Sequence, residues 1–467
     1  MKTKKSASEV LEILRRHILV DGFTNIVVDL EKSNGSYLYD SLNGRRYVDF
    51  FSYFASCPIG YNHPKMGDKD FQKKLLLSAI HKPSNSDFYT GLYAEFVEAV
   101  ERYALPENMP YMFLIDGGAL AVENALKCSF DFKTKINMRK GIWNGRWEEI
   151  DEKYTNNLKV IYFDEAFHGR SGYTMTITRS SDIRKTAFFP KFNWYRVPNP
   201  KIHFPLDDRE IERVSKAEED AIKHVKDIIT RDREYVSAII IEPIQAEGGD
   251  NHFRGEFFKA LRDITLNEDI LLIYDEVQTG MGITGKMWGY QNFGEKAKPD
   301  ILTFGKKFQV AGIIVSKRID ELEYNVFSDK VDESLGFAPG SNRLNSTFGG
   351  NLTDMVRATQ YLKIMDEENL IENSRVMGEY ILNKLTEICS KYPDKVDNMR
   401  GRGLMIAFDL NRPQLRDEVY NKIIDNGLLV LKCGRKSIRF RPHLDIDKKI
   451  ADEGLEIVKK SFSQLFK

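Results

Sequence analysis

Six short apolar runs constrain this chain more tightly than anything else in it. "YMFLID", "KVIYFD", "SAIIIEP", "ILLIYDE", "DILTFG" and "AGIIVS" recur between about residues 85 and 345. Amphipathic stretches such as "DDREIERVSKAEEDAIKHVKDIIT" separate them. Each run suits a strand and is too short for a buried helix. Strands apolar on both faces, joined by helices, predict an α/β fold with a mostly parallel sheet flanked by helices. In such sheets ligands collect beyond the carboxyl ends of the strands. The residues that follow each run are therefore where chemistry is to be sought.

The flanks differ in character. "SASEVLEILRRHILVDGF" predicts an N-terminal helix capped by Ser6 or Ser8, and "IVVDLEKSNGSYLYDSLNGRRYVDFFS" predicts a small antiparallel meander around its turn signals. From about residue 346 a stretch ending in "LNKLTEICSKY" predicts one long helix, followed by strand-like "RGLMIAFDL", "GLLVLKCG" and "SIRFRPHL". The expected division is an N-terminal segment 1–84, a large domain 85–345 and a C-terminal part 346–467. The two ends together build a smaller α+β domain. A charged stretch near 131–158, with Trp143 and Trp147, has the look of an insertion.

Composition serves mainly to exclude. Lys plus Arg and Asp plus Glu each number 69, and no basic patch carries interleaved aromatics, so a nucleic-acid partner is not expected. Cys57, Cys128, Cys389 and Cys433 form no CxxC pair and no histidine stands at metal-ligand spacing, which argues against disulfides and against a metal site. With no signal-like apolar segment and no run of about 18 apolar residues, a soluble, cytoplasmic protein without a membrane partner is expected.

Three strand ends stand out. After "YMFLI" comes "DGGALAVENALK", where Gly117 and Gly118 turn the chain into a helix whose free N–H groups favour a phosphate, although an ordinary strand-to-helix turn fits equally. After "ILLIY" come Asp275 and Glu276. A buried acid needs a protonated ring nitrogen, a magnesium ion or an arginine beside it, or is a satisfied structural carboxylate. After "DILTFG" come Lys306 and Lys307. Successive side chains point apart, so at most one faces a site and becomes nucleophilic through a lowered pKa, and a lone "GK" is more often surface charge. "GMGITG" at 280–285 matches GxGxxG, but Asp300 begins an apolar run instead of ending one, and no helical pattern follows. Read as a P-loop, the same stretch has Met287 where a Ser or Thr must bind magnesium.

A phosphate cradle, an acid and an amine together suit pyridoxal phosphate. "FLIDGGALAVENALK", "AFHGRSGYT", "IIIEPIQAEGGD", "IYDEVQTG", "FGKKFQ", "RLNSTFGGNLTDMVR", "RGRGLM" and "IRFRP" occur in that order from about 110 to 445. In these stretches the chain resembles the class III (ω-amino acid) aminotransferases of fold type I, with the L-lysine 6-aminotransferase group as the nearest pattern. The resemblance implies that Lys306 forms the internal Schiff base and Lys307 is a bystander. Asp275 would pair with the pyridinium nitrogen, Gln278 lie on the O3′ side and Phe167 stack on the ring. Gly118 and Ala119 would bind the phosphate through backbone N–H groups, and Thr347 would reach the phosphate of the other subunit of a homodimer. Arg170 and Arg439 would hold substrate carboxylates, with Glu247 switching on and off Arg439. The implied substrates are L-lysine, through its ε-amine, and 2-oxoglutarate, giving 2-aminoadipate 6-semialdehyde and glutamate by ping-pong kinetics. Ornithine, 4-aminobutyrate or another diamine, or a fold-type I decarboxylase or aminomutase reaction, are the alternatives. One departure is "QAEGG", where close relatives often have "QGEGG".

Overall fold

The computed structural model describes residues 5–18, 25–328 and 343–466. All six apolar runs form strands: Tyr111–Ile115, Lys159–Phe163, Val236–Ile241, Leu271–Asp275, Ile301–Phe304 and Ala311–Val315. A seventh, Tyr195–Val197, adds to the edge beside Lys159–Phe163. Its three residues, with Arg196 exposed, carry no apolar run and so left no signal in the sequence.

Across the sheet the order is 111–115, 311–315, 301–304, 271–275, 236–241, 159–163 and 195–197. All strands run parallel except Ala311–Val315, which is antiparallel to both neighbours. The period-two alternation of strands sorts side chains to opposite faces. Ile239, Ile241, Leu272 and Tyr274 enter the principal core, while Ala238, Ile240, Leu271 and Ile273 enter a second one. Helix Gly118–Arg139 covers that second face with Val122, Ala125 and Leu126.

The two chain ends meet in a second, smaller structure. Hairpin Tyr37–Asp40 with Arg45–Asp49 gains Leu428–Leu429 as a parallel third strand. The predicted meander shrinks to this hairpin, since Val28 contributes only an isolated bridge to Asp40. A four-stranded sheet of Val396–Arg402, Met405–Leu410, Ser437–Phe440 and Leu431–Cys433 completes the C-terminal part. The N-terminal helix is Ala7–His17, and its cap is Ser6, closed by Glu9 as a reciprocal capping box.

One expectation needs correction. The long helix after residue 346 is two helices, Leu352–Glu367 and Leu370–Cys389. Asn369, at φ 53° in the left-handed region, breaks them. Asparagine tolerates that conformation, whereas the apolar period runs on across it and hides the break. The charged stretch 131–158, expected as an insertion, begins within helix Gly118–Arg139. Beyond it, Trp143 is buried and stacks on Tyr154 with ring centres 4.7 Å apart, making a satellite core with Ile150 and Leu158. Among the described residues no helix is long and apolar enough to cross a membrane.

Candidate active site

Because their strands run in the same direction, Ile115, Ile241, Asp275 and Phe304 end on one edge of the sheet. The residues just beyond them come close together, on the side where this architecture binds ligands.

Gly117, at φ 96°, turns the chain out of its strand and caps helix Gly118–Arg139. A Cβ added at Gly118 would lie 2.8 Å from Cγ1 of Val277, in the turn after the next strand but two. Glycine is therefore required there for the helix start, with Ala119 behind it, to approach the cleft. The first N–H groups of such a helix have no intrahelical acceptor, and the dipole makes them a seat for an anion.

Asp275 closes strand Leu271–Asp275 and is buried. Its Oδ1 accepts from the Val277 N–H and the Thr303 hydroxyl, each at 3.1 Å, and its Oδ2 lies 2.7 Å from Nδ1 of His168. His168 is a functional candidate that sequence reasoning passed over, although it lies next to Phe167 in a stretch already singled out. Glu242, beyond Ile241, was also missed. Its two oxygens accept from the Phe167 and Ala246 N–H groups, at 2.9 and 3.1 Å. Burial, then the nearby Asp275, pushes its carboxyl well above the usual range. Glu276 is the structural carboxylate of the pair 275–276: it accepts from Thr279 and from the Gly289 and Tyr290 N–H groups, and burial pushes it up to about 7.

The two lysines part company. Lys306 is half-buried at the start of the turn Lys306–Phe308, with φ 50°. A lysine in the left-handed region is uncommon, and such outliers concentrate where a side chain must be aimed. Burial, then Arg439, pushes its ammonium down to about 8, with Asp275 and Glu247 opposing. Lys307 is buried and donates to the Gln278 carbonyl at 2.9 Å and the Ala55 carbonyl at 3.4 Å. It is not a solvated charge but a strut. A testable consequence follows for coenzyme-free protein: acylation of Lys306, followed by mass spectrometry, should rise with pH and reach half its maximum near pH 8, because only the free amine attacks. Exposed lysines should follow a midpoint near 10.4; the same midpoint at Lys306 would contradict the burial argument.

Gln278 is buried and its Oε1 accepts from Nε of Arg441 at 3.2 Å, while Arg441 forms a bidentate pair with Asp250. Arg439, with a side chain only 1% exposed, donates through Nη2 to Glu247 Oε2 at 3.0 Å. Its Nε and Nη1 have no partner among the described residues, an unusual state for a buried guanidinium. The other oxygen of Glu247 accepts from Lys185. Although burial works against it, Arg439 and then Lys185 hold the Glu247 carboxyl below its usual value.

Phe167 is half-buried, and the Lys185 ammonium lies 5.8 Å from its ring centre. Arg170, three residues on, is exposed, and the cation that reaches Glu247 from this region is Lys185. Thr347 is exposed too, in the segment 346–350 that Asn85 and Ser86 tie down through the Phe348, Gly350 and Ser346 carbonyls. The structure thus brings Gly118, Asp275, Gln278, Lys306, Glu247 and Arg439 into one neighbourhood and leaves Arg170 and Thr347 exposed.

A further feature had no signal in the sequence. Ser52, Tyr53, Phe54 and Ala55 all have φ between 40 and 62°, at a cost on the order of 1–2 kcal/mol per residue. Asp49 clamps this turn by accepting the Phe51 and Ser52 N–H groups at 2.7 and 2.8 Å, and the Ser52 hydroxyl donates to the Arg441 carbonyl at 2.6 Å. Tyr53 and Phe54 are thereby presented to a cavity of about 1180 Å³ that Lys185 and Glu247 also line. The methyl of Ala246, the departure in "QAEGG", is buried in the principal core.

Comparison with solved structures places this architecture among known enzymes. The chain matches a lysine aminotransferase from Mycobacterium tuberculosis in the internal aldimine form with a TM-score of 0.91 and 40% identity, covering 99% of this chain and 100% of that one. The fold is type I of the pyridoxal phosphate enzymes. The family described as aminotransferase class-III matches residues 20–462, and the chain belongs to it. An L-lysine-epsilon aminotransferase from Amycolatopsis lactamdurans is 40% identical over 459 residues, 98% of this chain and 96% of the relative. A probable mitochondrial 4-aminobutyrate aminotransferase from Caenorhabditis elegans is 32% identical over 447 residues, 94% of this chain and 88% of the relative.

Class III aminotransferases use pyridoxal phosphate, and the groups present fit it. A half-buried amine of lowered proton affinity, a buried and hydrogen-bonded carboxylate, and a helix start that glycine keeps open stand on one sheet edge.

Proposed function

We propose that the protein transfers the ε-amino group of L-lysine to 2-oxoglutarate, yielding 2-aminoadipate 6-semialdehyde, which cyclises to piperideine-6-carboxylate, and L-glutamate. The observation that carries this reading is buried Arg439, held on one side by Glu247 and bearing two nitrogens, Nε and Nη1, without an acceptor among the described residues. Such a guanidinium suits a carboxylate. The two substrates present theirs differently: lysine reacts at its ε-amine, far from its carboxylate, whereas glutamate reacts at the carbon next to one. With Glu247 on Arg439 the distal amine is admitted. With Glu247 displaced, Arg439 takes the α-carboxylate of the oxo acid. The relatives named for lysine, at 40% identity over nearly the full length, support this donor over ornithine or 4-aminobutyrate.

When bound, pyridoxal phosphate supplies an electron sink for the carbon that loses its proton. Lys306 would hold it covalently and, once released, carry the proton between carbon atoms. Asp275 would hold the ring nitrogen, with His168 and Thr303 fixing the carboxylate; Phe167 and Gln278 would flank the ring. Gly118 and Ala119 would hold the phosphate through their N–H groups. Arg170 would receive the carboxylate of lysine. Thr347 would complete the phosphate site of a second copy, so the working unit is a homodimer. Exposed Phe88, Tyr89, Phe188 and Phe189 support burial against such a copy. The amine donor's product leaves before the oxo acid enters, which makes the kinetics ping-pong.

Parallel half-reactions with lysine, ornithine, 4-aminobutyrate and glutamate test this. Lysine should exceed the other two donors at least about tenfold in kcat/KM, a margin of ~1.4 kcal/mol. Glu247→Ala should lower the lysine reaction relative to the glutamate one, because an unshielded Arg439 attracts the wrong end of the donor. Equal turnover of the three donors would overturn the lysine assignment, and an unchanged lysine-to-glutamate ratio in Glu247→Ala would overturn the switch.

A further inference from the structure

We infer that Lys185 is a positioning residue for the carboxylate switch: it retains Glu247 when Arg439 is released, and so favours the oxo-acid half of the reaction. This rests on the Glu247–Arg439 reading above.

The geometry has three parts. Glu247 divides its oxygens between two cations, Oε1 to Lys185 and Oε2 to Arg439. Its backbone is pinned, since its carbonyl accepts from the Gly434 N–H at 2.9 Å. The turn that carries Lys185, Ile183–Lys185, is tied to the same point, because the Ser181 hydroxyl donates to the Gly434 carbonyl at 2.9 Å. The Glu247 side chain is left to pivot, with the turn that carries Lys185 tied beside it.

The cations differ in what they can give up. Arg439 is buried and must be vacated for a substrate carboxylate to enter. Lys185, with its side chain 29% exposed, lies on the cavity that also holds Tyr53 and Phe54. A half-buried carboxylate that loses one partner without keeping another is left uncompensated, and it returns to the first. With Lys185 present, displacement from Arg439 exchanges a shared carboxylate for a paired one. Without it, Glu247 bonds to Arg439 alone and competes harder with the incoming carboxylate.

The test is the ratio of lysine to glutamate half-reaction kcat/KM in holoenzyme. In Lys185→Met this ratio should rise about tenfold, the order expected of one charge-assisted hydrogen bond in a partly screened site. Lys185→Arg, which keeps the charge, should stay within about threefold of the wild-type ratio. Glu247→Ala should move the ratio the opposite way, and adding Lys185→Met to it should change nothing more. A fall of both half-reactions by one factor, an unmoved ratio in Lys185→Met, or no rescue by arginine overturns the inference. If Glu247→Ala shifts the ratio and Lys185→Met does not, only the role of Lys185 fails. If Glu247→Ala itself leaves the ratio unmoved, the switch fails and the inference with it.

Discussion

Lys306→Ala should abolish transamination, lowering single-turnover rates with lysine by on the order of 10^4-fold or more, because in the proposed function one change removes both the covalent anchor and the proton carrier. The loss is chemical and not a failure to fold. The turn that places residue 306 is held by main-chain bonds, Gln309 N–H to the Lys306 carbonyl at 2.7 Å and Phe308 N–H to the Gly305 carbonyl at 3.1 Å, which alanine keeps. Circular dichroism should therefore match the parent. Borohydride reduction of wild-type holoprotein should leave a coenzyme-sized mass on the peptide that carries Lys306, and none in the variant. A variant retaining a tenth of the parent rate, or a label at Lys307, would reject the assignment. Lys307 is the useful contrast: it holds the Gln278 and Ala55 carbonyls.

Asp275→Asn should lower the same single-turnover rate on the order of 10^3-fold, the scale of losing one preorganised electrostatic partner in a site closed to water. The substitution preserves volume but not chemistry. An amide has one acceptor oxygen, whereas Asp275 uses one oxygen for the Val277 and Thr303 donors and the other for His168. Asparagine would turn an N–H₂ group toward one of these and would bring no negative charge to a ring nitrogen. Coenzyme should dissociate faster as well, and dialysis followed by absorbance measures that separately from the rate. A variant within tenfold of the parent would mean that Asp275 has only the structural role that Glu276 has beside it.

How much of this was legible in the chain varied with the range of the interactions. The central strands were plain, because a strand buried on both faces must be apolar throughout, and the pattern is local. Strand Tyr195–Val197 was not, since an edge strand three residues long is held by its neighbour and not by its composition. The break at Asn369 was hidden by an apolar period that continues across it. Among the site candidates, Gly118, Asp275 and the pair Lys306–Lys307 were legible as strand ends, and the choice of Lys306 within that pair came through the resemblance. Gln278, Phe167, Glu247 and Arg439 came only through the resemblance to a family, and His168, Glu242 and Lys185 not at all.

The sequence by itself therefore determined the architecture and marked candidates for the reactive groups, since strand pattern and the residue that follows each strand are properties of short stretches. Tertiary structure showed that Lys307, a bystander by the resemblance, is a buried strut between the Gln278 and Ala55 carbonyls. It also decided that a carboxylate at 247 stands between a lysine 62 positions away in the chain and an arginine 192 positions away. Those outcomes depend on burial and on charge at a distance of a few ångströms, and neither is encoded within any one segment.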